Sequence, residues 1–301
     1  MLPNFIIIGA PRCATTFLAQ NLNDHPDIFM AQGAENYAAG DIHFFDVSTI
    51  DGKANFNKGL TWYSKLFDGV KNETKIGEKT ADYLGDPNSA TLIKEYLGDV
   101  QLILMLRDPV ERAWSHYKHS RHRLPLVMTF DQLIGSENEV ALQILSSGNY
   151  AELLRPYLDT QKKENIIVVL QEDFVRNPEE TMKYLCDVLS VSNEFKFPKI
   201  HSTINQSSSG FIAYLVAKVG RAVRLKLPKL HEVLINGPMD KLLKSVILRM
   251  RGKNKNKEIK KDLSSCISLD VEQKLRDFYR DDVIKLEKII NRPLREIWWK
   301  E

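Results

Sequence analysis

Short, wholly apolar runs separated by amphipathic stretches mark the first two thirds of the chain. Phe5-Ile6-Ile7-Ile8 is dominated by β-branched residues and bounded by Gly9 and Pro11, and Thr15 to Leu22 behind it has helical spacing, so the chain begins strand, tight loop, helix. Val100 to Leu106 repeats the buried-strand pattern with only Gln101 polar. It stops at Arg107-Asp108-Pro109, and 110–122 reads as a helix with Pro109 near its start. Asn165 to Leu170 is a third such run, ended by Gln171-Glu172-Asp173 and followed by a helix around Pro178 to Leu189. Strands of this kind alternating with helices predict an α/β fold, a central parallel sheet with helices on both faces. Ligands of such sheets bind beyond the carboxyl ends of the strands, so the chemistry is expected just after these runs. Later, 211–250 is apolar and basic at helical spacing, and Arg251 to Lys257 is a polar, loop-like cluster. Leu269 to Ile290 is a helix entered through Ser268 and stopped by Asn291-Arg292-Pro293.

Composition changes this picture little until the charges are placed. The 301 residues carry 42 Lys plus Arg against 39 Asp plus Glu, a net charge of +3 that does not argue for a nucleic-acid partner. The total hides two unlike parts. Between Lys218 and Lys261, 44 residues hold fourteen basic and three acidic side chains, a net +11 that leaves −8 for the rest. This window reads as a solvated helical face, as a basic lid guiding an anionic acceptor, or as a peripheral membrane contact. Cys13, Cys186 and Cys266 are scattered, with no CxxC or His cluster, which favours a reducing compartment over a disulfide scaffold or zinc site. The apolar run at the start is too short for a signal peptide, and no stretch approaches the length needed to span a bilayer, so a cytoplasmic address is expected, peripheral to the inner face of a membrane if the basic window makes that contact.

Gly9-Ala10-Pro11-Arg12-Cys13-Ala14-Thr15-Thr16 lies where a P-loop would, between a buried strand and a helix, and its N–H groups are placed to form an anion-binding nest. A Walker A motif would put Gly at position 14 and Lys at 15; this chain has Ala14 and Thr15 and carries its cation at Arg12. Phosphate binding is supported without the usual metal-nucleotide chemistry. The bland alternative is a Gly-x-Pro turn with Thr15 and Thr16 as a helix cap.

The loop resembles the 5′-phosphosulfate loop of the sulfotransferases that use 3′-phosphoadenylyl sulfate (PAPS), Gly-x-x-[Lys/Arg]-x-Gly-Thr-Thr. Arg107-Asp108-Pro109, with Ser115 eight residues after the Arg, resembles their 3′-phosphate element. Gly40-Asp41-Ile42-His43-Phe44-Phe45-Asp46 and Gly77-Glu78-Lys79-Thr80-Ala81-Asp82-Tyr83 resemble acceptor-side segments of the carbohydrate branch, which includes the heparan sulfate enzymes. Arg292 to Trp298 is similar to the end of bacterial members. The first four of these motifs, with that ending, keep family order and spacing along one sulfotransferase domain over 1–301, with 211–261 as a basic helical insertion or lid.

The resemblance implies a P-loop-like three-layer sandwich and transfer of a sulfuryl group from PAPS to an acceptor hydroxyl on a carbohydrate, lipid or secondary metabolite, anionic or carrier-bound, releasing PAP without a metal. It implies that the 5′ end is held by main-chain N–H groups of Cys13, Ala14, Thr15, Thr16 and Phe17 and by the hydroxyls of Thr15 and Thr16, with the Arg12 guanidinium stabilising charge on the bridging oxygen, and that Arg107 and Ser115 grip the 3′-phosphate. For Arg107 the alternative is a surface ion pair with Asp108 or Glu111. Asp41 takes the position of the family's catalytic Glu and ranks first as general base; His43, oriented by Asp46, ranks second. Lys79 would face the sulfuryl group or the acceptor. Ala14 stands where the family has glycine, a change accommodated if φ stays negative. The family's late Lys-Gly cofactor loop has no clean counterpart: Asn205 to Gly210 offers hydroxyls, with Lys218 or Arg221 as substitute cations. Two other functions compete, a P-loop kinase or NTPase and a non-catalytic nucleotide-binding or membrane-adaptor protein.

Overall fold

In the computed structural model, residues 1–31, 40–48, 55–120, 124, 128–201 and 267–301 are described. They fall into two compact units. The first comprises Met1–His116, Gln143–Gln206 and Leu275–Glu301, and the second Tyr117–Leu142 and Ser207–Lys274. The basic window, the expected insertion at 211–261 and the 205–210 segment lie outside the described residues.

The first unit is built on a five-stranded, wholly parallel sheet in the order β2-β3-β1-β4-β5. The strands are β1 (Phe5–Gly9), β2 (Ile28–Met30), β3 (Lys75–Lys79), β4 (Gln101–Leu106) and β5 (Ile166–Leu170). Helices surround the sheet, giving the expected P-loop-like α/β sandwich. Those used below are α1 (Thr15–Leu22), α2 (Gly59–Lys65), α3 (Ser89–Leu97) and α4 (Pro109–Ser120). The predicted runs appear as β1, β4 and β5, and the predicted helices as α1, α4 and the helices Pro178–Val188 and Leu269–Ile290, each boundary within two residues. Every residue of β1 is buried, as is all of β4 beyond Gln101, which is why both read as continuous apolar runs.

Two strands carry no such signal. β2 has three residues. β3, Lys75-Ile76-Gly77-Glu78-Lys79, is charged at three of five positions, yet its last three residues are buried. It pairs with the centre of the sheet in the register Phe5↔Gly77, Ile6↔Glu78, Ile7↔Lys79. Gly77 is required there, since a Cβ would sit 2.2 Å from the Phe5 ring.

The strand order matters for function. From β1 the chain builds β2 and β3 on one side and then crosses to β4 on the other, so the loops after β1 and β4 open a crevice at the switch point. The end of β3 borders the same loop from the other side. In the second unit, a capping box of Thr129 and Gln132 starts the short helix Phe130–Ile134, and the Tyr117 hydroxyl donates to the Met128 carbonyl at 2.9 Å.

Candidate active site

The loop after β1 is left-handed at two non-glycine residues, Arg12 (φ 71°) and Ala14 (φ 64°). The φ of Ala14 is therefore positive, against the condition under which its Cβ is accommodated without strain. The conformation costs an alanine about 1–2 kcal/mol, and left-handed residues in such a loop are the geometry in which successive N–H groups form an anion-binding nest. Ala14 is also the N-cap of α1, whose first turn has no side-chain cap and no acidic residue. Thr15 and Thr16 stand inside the helix rather than capping it. The N-terminal amides of α1 thus lack intrahelical acceptors and face no carboxylate of their own turn, the arrangement that attracts an anion. The Cys13 amide is partly engaged already, donating to Ala10 O at 3.3 Å.

Arg12 is half-buried, and among the described residues its buried Nε has no hydrogen-bond partner. Burial lowers its pKa, and the like charge of Arg107 adds to that. Two guanidinium groups that feel each other beside an uncapped helix suit a multiply charged anion. Arg107 donates to Glu111 at 2.9 Å, the surface pairing foreseen as its alternative role. Ser115 lies half-buried one turn beyond Glu111 on α4, on the same helix face by its i, i+4 spacing. Phe17 rests its ring 5.7 Å from that of Phe174.

Tyr150 had no signal in the sequence. Its buried hydroxyl lies 3.7 Å from Cys13 Sγ and donates to the Arg107 carbonyl at 3.0 Å, tying the loops after β1 and β4 together. Burial pushes the Cys13 thiol up to about 11, so it stays a neutral packing group.

On the other side of the loop, Lys79 is 2% exposed at the end of β3. Its Nζ lies 2.9 Å from Asp41 Oδ1 and donates to Thr16 Oγ1 at 3.2 Å. Asp41 bridges to Lys79 as an isolated parallel pair and also accepts the Ala81 N–H at 3.1 Å. The structure therefore brings three predicted residues, Thr16, Lys79 and Asp41, into one connected line from the anion loop to a carboxylate. Lys79 is held by Asp41 rather than by its sequence neighbour Glu78.

His43 is buried, left-handed (φ 52°), and bonded through Nδ1 to Asp46 Oδ2 at 2.5 Å. Burial acts to lower its pKa, but the Asp46 hydrogen bond and the charges of Asp46, Asp41 and Asp82 prevail and leave it raised. Among the described residues, His43, Asp46 and Asp82 are also a group whose ligand atoms lie within 4.8 Å of one another, the donor types a divalent cation takes.

The segment bearing Asp41 and His43 has no regular structure, yet its backbone is satisfied. Thr80 Oγ1 accepts the N–H groups of Ile42 and His43, the Tyr83 hydroxyl accepts that of Phe44, and Asn55 takes the carbonyls of Ile42 and His43. Both hydroxyls donate in turn to Glu78, a fully buried carboxylate that also receives the Tyr63 hydroxyl. Burial pushes Glu78 up to about 7, with its three hydroxyl donors opposing the shift and the charge of Asp46 adding to it.

Residues 3–194 match the model of the sulfotransferase family. The chain is similar to the membrane-associated sulfotransferase kil1 of Dictyostelium discoideum, 36% identical over 148 residues, 46% of this chain and 29% of that protein. It is similar to heparan sulfate glucosamine 3-O-sulfotransferase 3B1 of Mus musculus, 30% identical over 63% of this chain and 46% of that one. To the bifunctional heparan sulfate N-deacetylase/N-sulfotransferase 1 of Homo sapiens it is 26% identical over 96% of this chain and 29% of that one. The chain spans less than half the length of these relatives. The crystal structure of a sulfotransferase from Alicyclobacillus acidocaldarius has the same fold, with TM-score 0.69, 24% identity and 99% of each chain covered.

Proposed function

The chain belongs to the sulfotransferase family, and from that premise we propose that it moves a sulfuryl group from PAPS to an acceptor hydroxyl, releasing PAP. The observation that carries this reading is the line Thr16–Lys79–Asp41, which joins the anion loop to a carboxylate able to take a proton. The residues suit the donor: Arg12, with its orphaned Nε, and the amides of Ala14 to Phe17 would hold the phosphosulfate, and Arg107 and Ser115 the 3′-phosphate. Arg107 exchanges Glu111 for phosphate in that complex. PAPS supplies the sulfuryl group, whose S–O bond to the 5′-phosphate breaks as the acceptor oxygen bonds to sulfur.

The protein's own part is electrostatic and positional. Arg12 opposes the charge that grows on the leaving phosphate oxygen, stabilising the transition state more than the ground state. Lys79 holds Asp41 in place beside the loop, and Asp41 takes the hydroxyl proton. The raised pKa of His43 favours its charged form, which supports Asp41 as the base and His43 as a charged neighbour that orients the acceptor. Thr15, at the Walker lysine position, weighs against a metal-dependent kinase.

The acceptor class we favour is a carbohydrate hydroxyl, supported by the 3-O-sulfotransferase relative. The printed name of the Dictyostelium relative supports a peripheral membrane contact through the +11 window. Salt-sensitive sedimentation with anionic but not neutral vesicles is expected, and equal binding to both removes that part of the proposal.

The test is sulfate transfer from labelled PAPS to glycan acceptors with Asp41→Asn and His43→Ala. Loss of turnover in Asp41→Asn with PAP binding retained supports the assignment. Full turnover in Asp41→Asn with none in His43→Ala refutes it. A thermal shift with ATP and magnesium but none with PAP would refute the sulfotransferase reading itself.

A further inference from the structure

A segment that presents a catalytic carboxylate needs a fixed backbone, and 42–44 has neither strand nor helix to fix it. Its three successive amides are instead received by two hydroxyls, Thr80 Oγ1 at 2.9 and 3.0 Å and Tyr83 OH at 3.0 Å. Each hydroxyl has a single proton, and both protons are committed to one group: Thr80 donates to Glu78 Oε2 at 3.2 Å and Tyr83 to Glu78 Oε1 at 2.8 Å. A third donor, Tyr63, reaches Oε1 from α2 at 2.9 Å.

The directions of these bonds are interlocked. With its proton on Glu78, Thr80 Oγ1 has both lone pairs open for the amides of Ile42 and His43. A donor at Oε2 would point a second proton at Thr80 and leave three donors competing for two lone pairs. The arrangement therefore requires an acceptor-only group at position 78, which a carboxylate is and an amide is not.

We propose that Glu78 is a positioning residue: through the hydroxyls of Thr80 and Tyr83 it holds the backbone of Ile42 to Phe44, and so the aim of Asp41 and His43, without touching the reacting groups. The inference rests on the assignment of Asp41 and His43 to the acceptor side of the site. Burial keeps Glu78 partly protonated near pH 7, and the groups around it are Tyr63, Tyr83, Thr80 and the carboxylate of Asp46. The clasp therefore tightens as Glu78 ionises, and activity should carry an acid limb near pH 7.

The experiment compares Glu78→Gln, Thr80→Val and Thr80→Ser in the full chain, reading PAPS turnover and amide hydrogen exchange at residues 42–44. Glu78→Gln and Thr80→Val are expected to lower kcat about tenfold or more while KM for PAPS stays within about twofold, because misplacing a base costs rate and not cofactor binding. Thr80→Ser is expected to restore kcat to within about threefold and to restore slow exchange. In Glu78→Gln the acid limb near pH 7 should vanish. Wild-type kcat in both Thr80→Val and Glu78→Gln, or unchanged exchange at 42–44 in Thr80→Val, overturns the proposal. Should the wild type transfer no sulfate from PAPS, the functional reading fails, and exchange at 42–44 still decides the clasp.

Discussion

The two ends of the Asp41–Lys79 pair should not cost the same to remove. The Lys79 side chain is 2% exposed and that of Asp41 23%. Asp41→Ala leaves an ammonium enclosed with Thr16 Oγ1 at 3.2 Å and strips the Ala81 N–H of its acceptor. Breaking a buried pair from this side costs about 3–5 kcal/mol. Lys79→Met leaves a carboxylate that water reaches and that keeps the Ala81 N–H, while the unbranched Met side chain fills the space of the lysine stem. That loss should be about 1–2 kcal/mol. The difference of about 2 kcal/mol is roughly a thirtyfold change in the folding equilibrium, measurable as separate urea midpoints at pH 7.5 with unchanged m-values. Asp41→Asn is the internal control: its amide oxygen still accepts from Lys79 and Ala81, so its stability should lie nearer wild type while turnover is lost. If Lys79→Met proves as destabilising as Asp41→Ala, or more so, the Lys79 charge is solvated and the line from the loop to Asp41 is not a buried one.

Ala14→Gly should stabilise the protein by about 0.5–1 kcal/mol, the left-handed cost relieved less the extra freedom of glycine in the unfolded chain; a lower thermal midpoint would show that the Ala14 φ is unstrained. Glu78 has its pKa raised by burial to about 7 from the ordinary 4.5 of a glutamate, so the folded state holds a proton that the unfolded chain releases. Its contribution is fully present below pH 4.5 and lost as pH rises through 7, on the order of 3 kcal/mol, and Glu78→Gln should remove that slope from the stability-against-pH curve. Tyr150→Phe removes the hydroxyl between Cys13 and the Arg107 carbonyl. It should cost about 1–2 kcal/mol and weaken PAP binding several-fold by calorimetry, an unchanged affinity refuting the link between the two loops.

How much of this was legible without coordinates depended on the range of the interaction. β1, β4 and β5 could be read because burial on both faces leaves a continuous apolar run, and α1 and α4 because a helix repeats its pattern every turn. The loop after β1 was legible too, since the pattern that marks it lies in eight adjacent residues. The charged strand β3 was hidden: its polar side chains are tolerated only because Asp41, Thr16, Tyr63, Tyr83 and Thr80 close around them, and no local pattern announces partners supplied from elsewhere. The same reason concealed Tyr150, whose hydroxyl is separated by 137 residues from Cys13. A loop motif identified Arg12, a second one Arg107, and a third Asp41. That the segments carrying them adjoin follows from a strand order that sets the ends of β3, β1 and β4 side by side, and sheet order is a choice among long-range pairings that chain-local propensities do not encode.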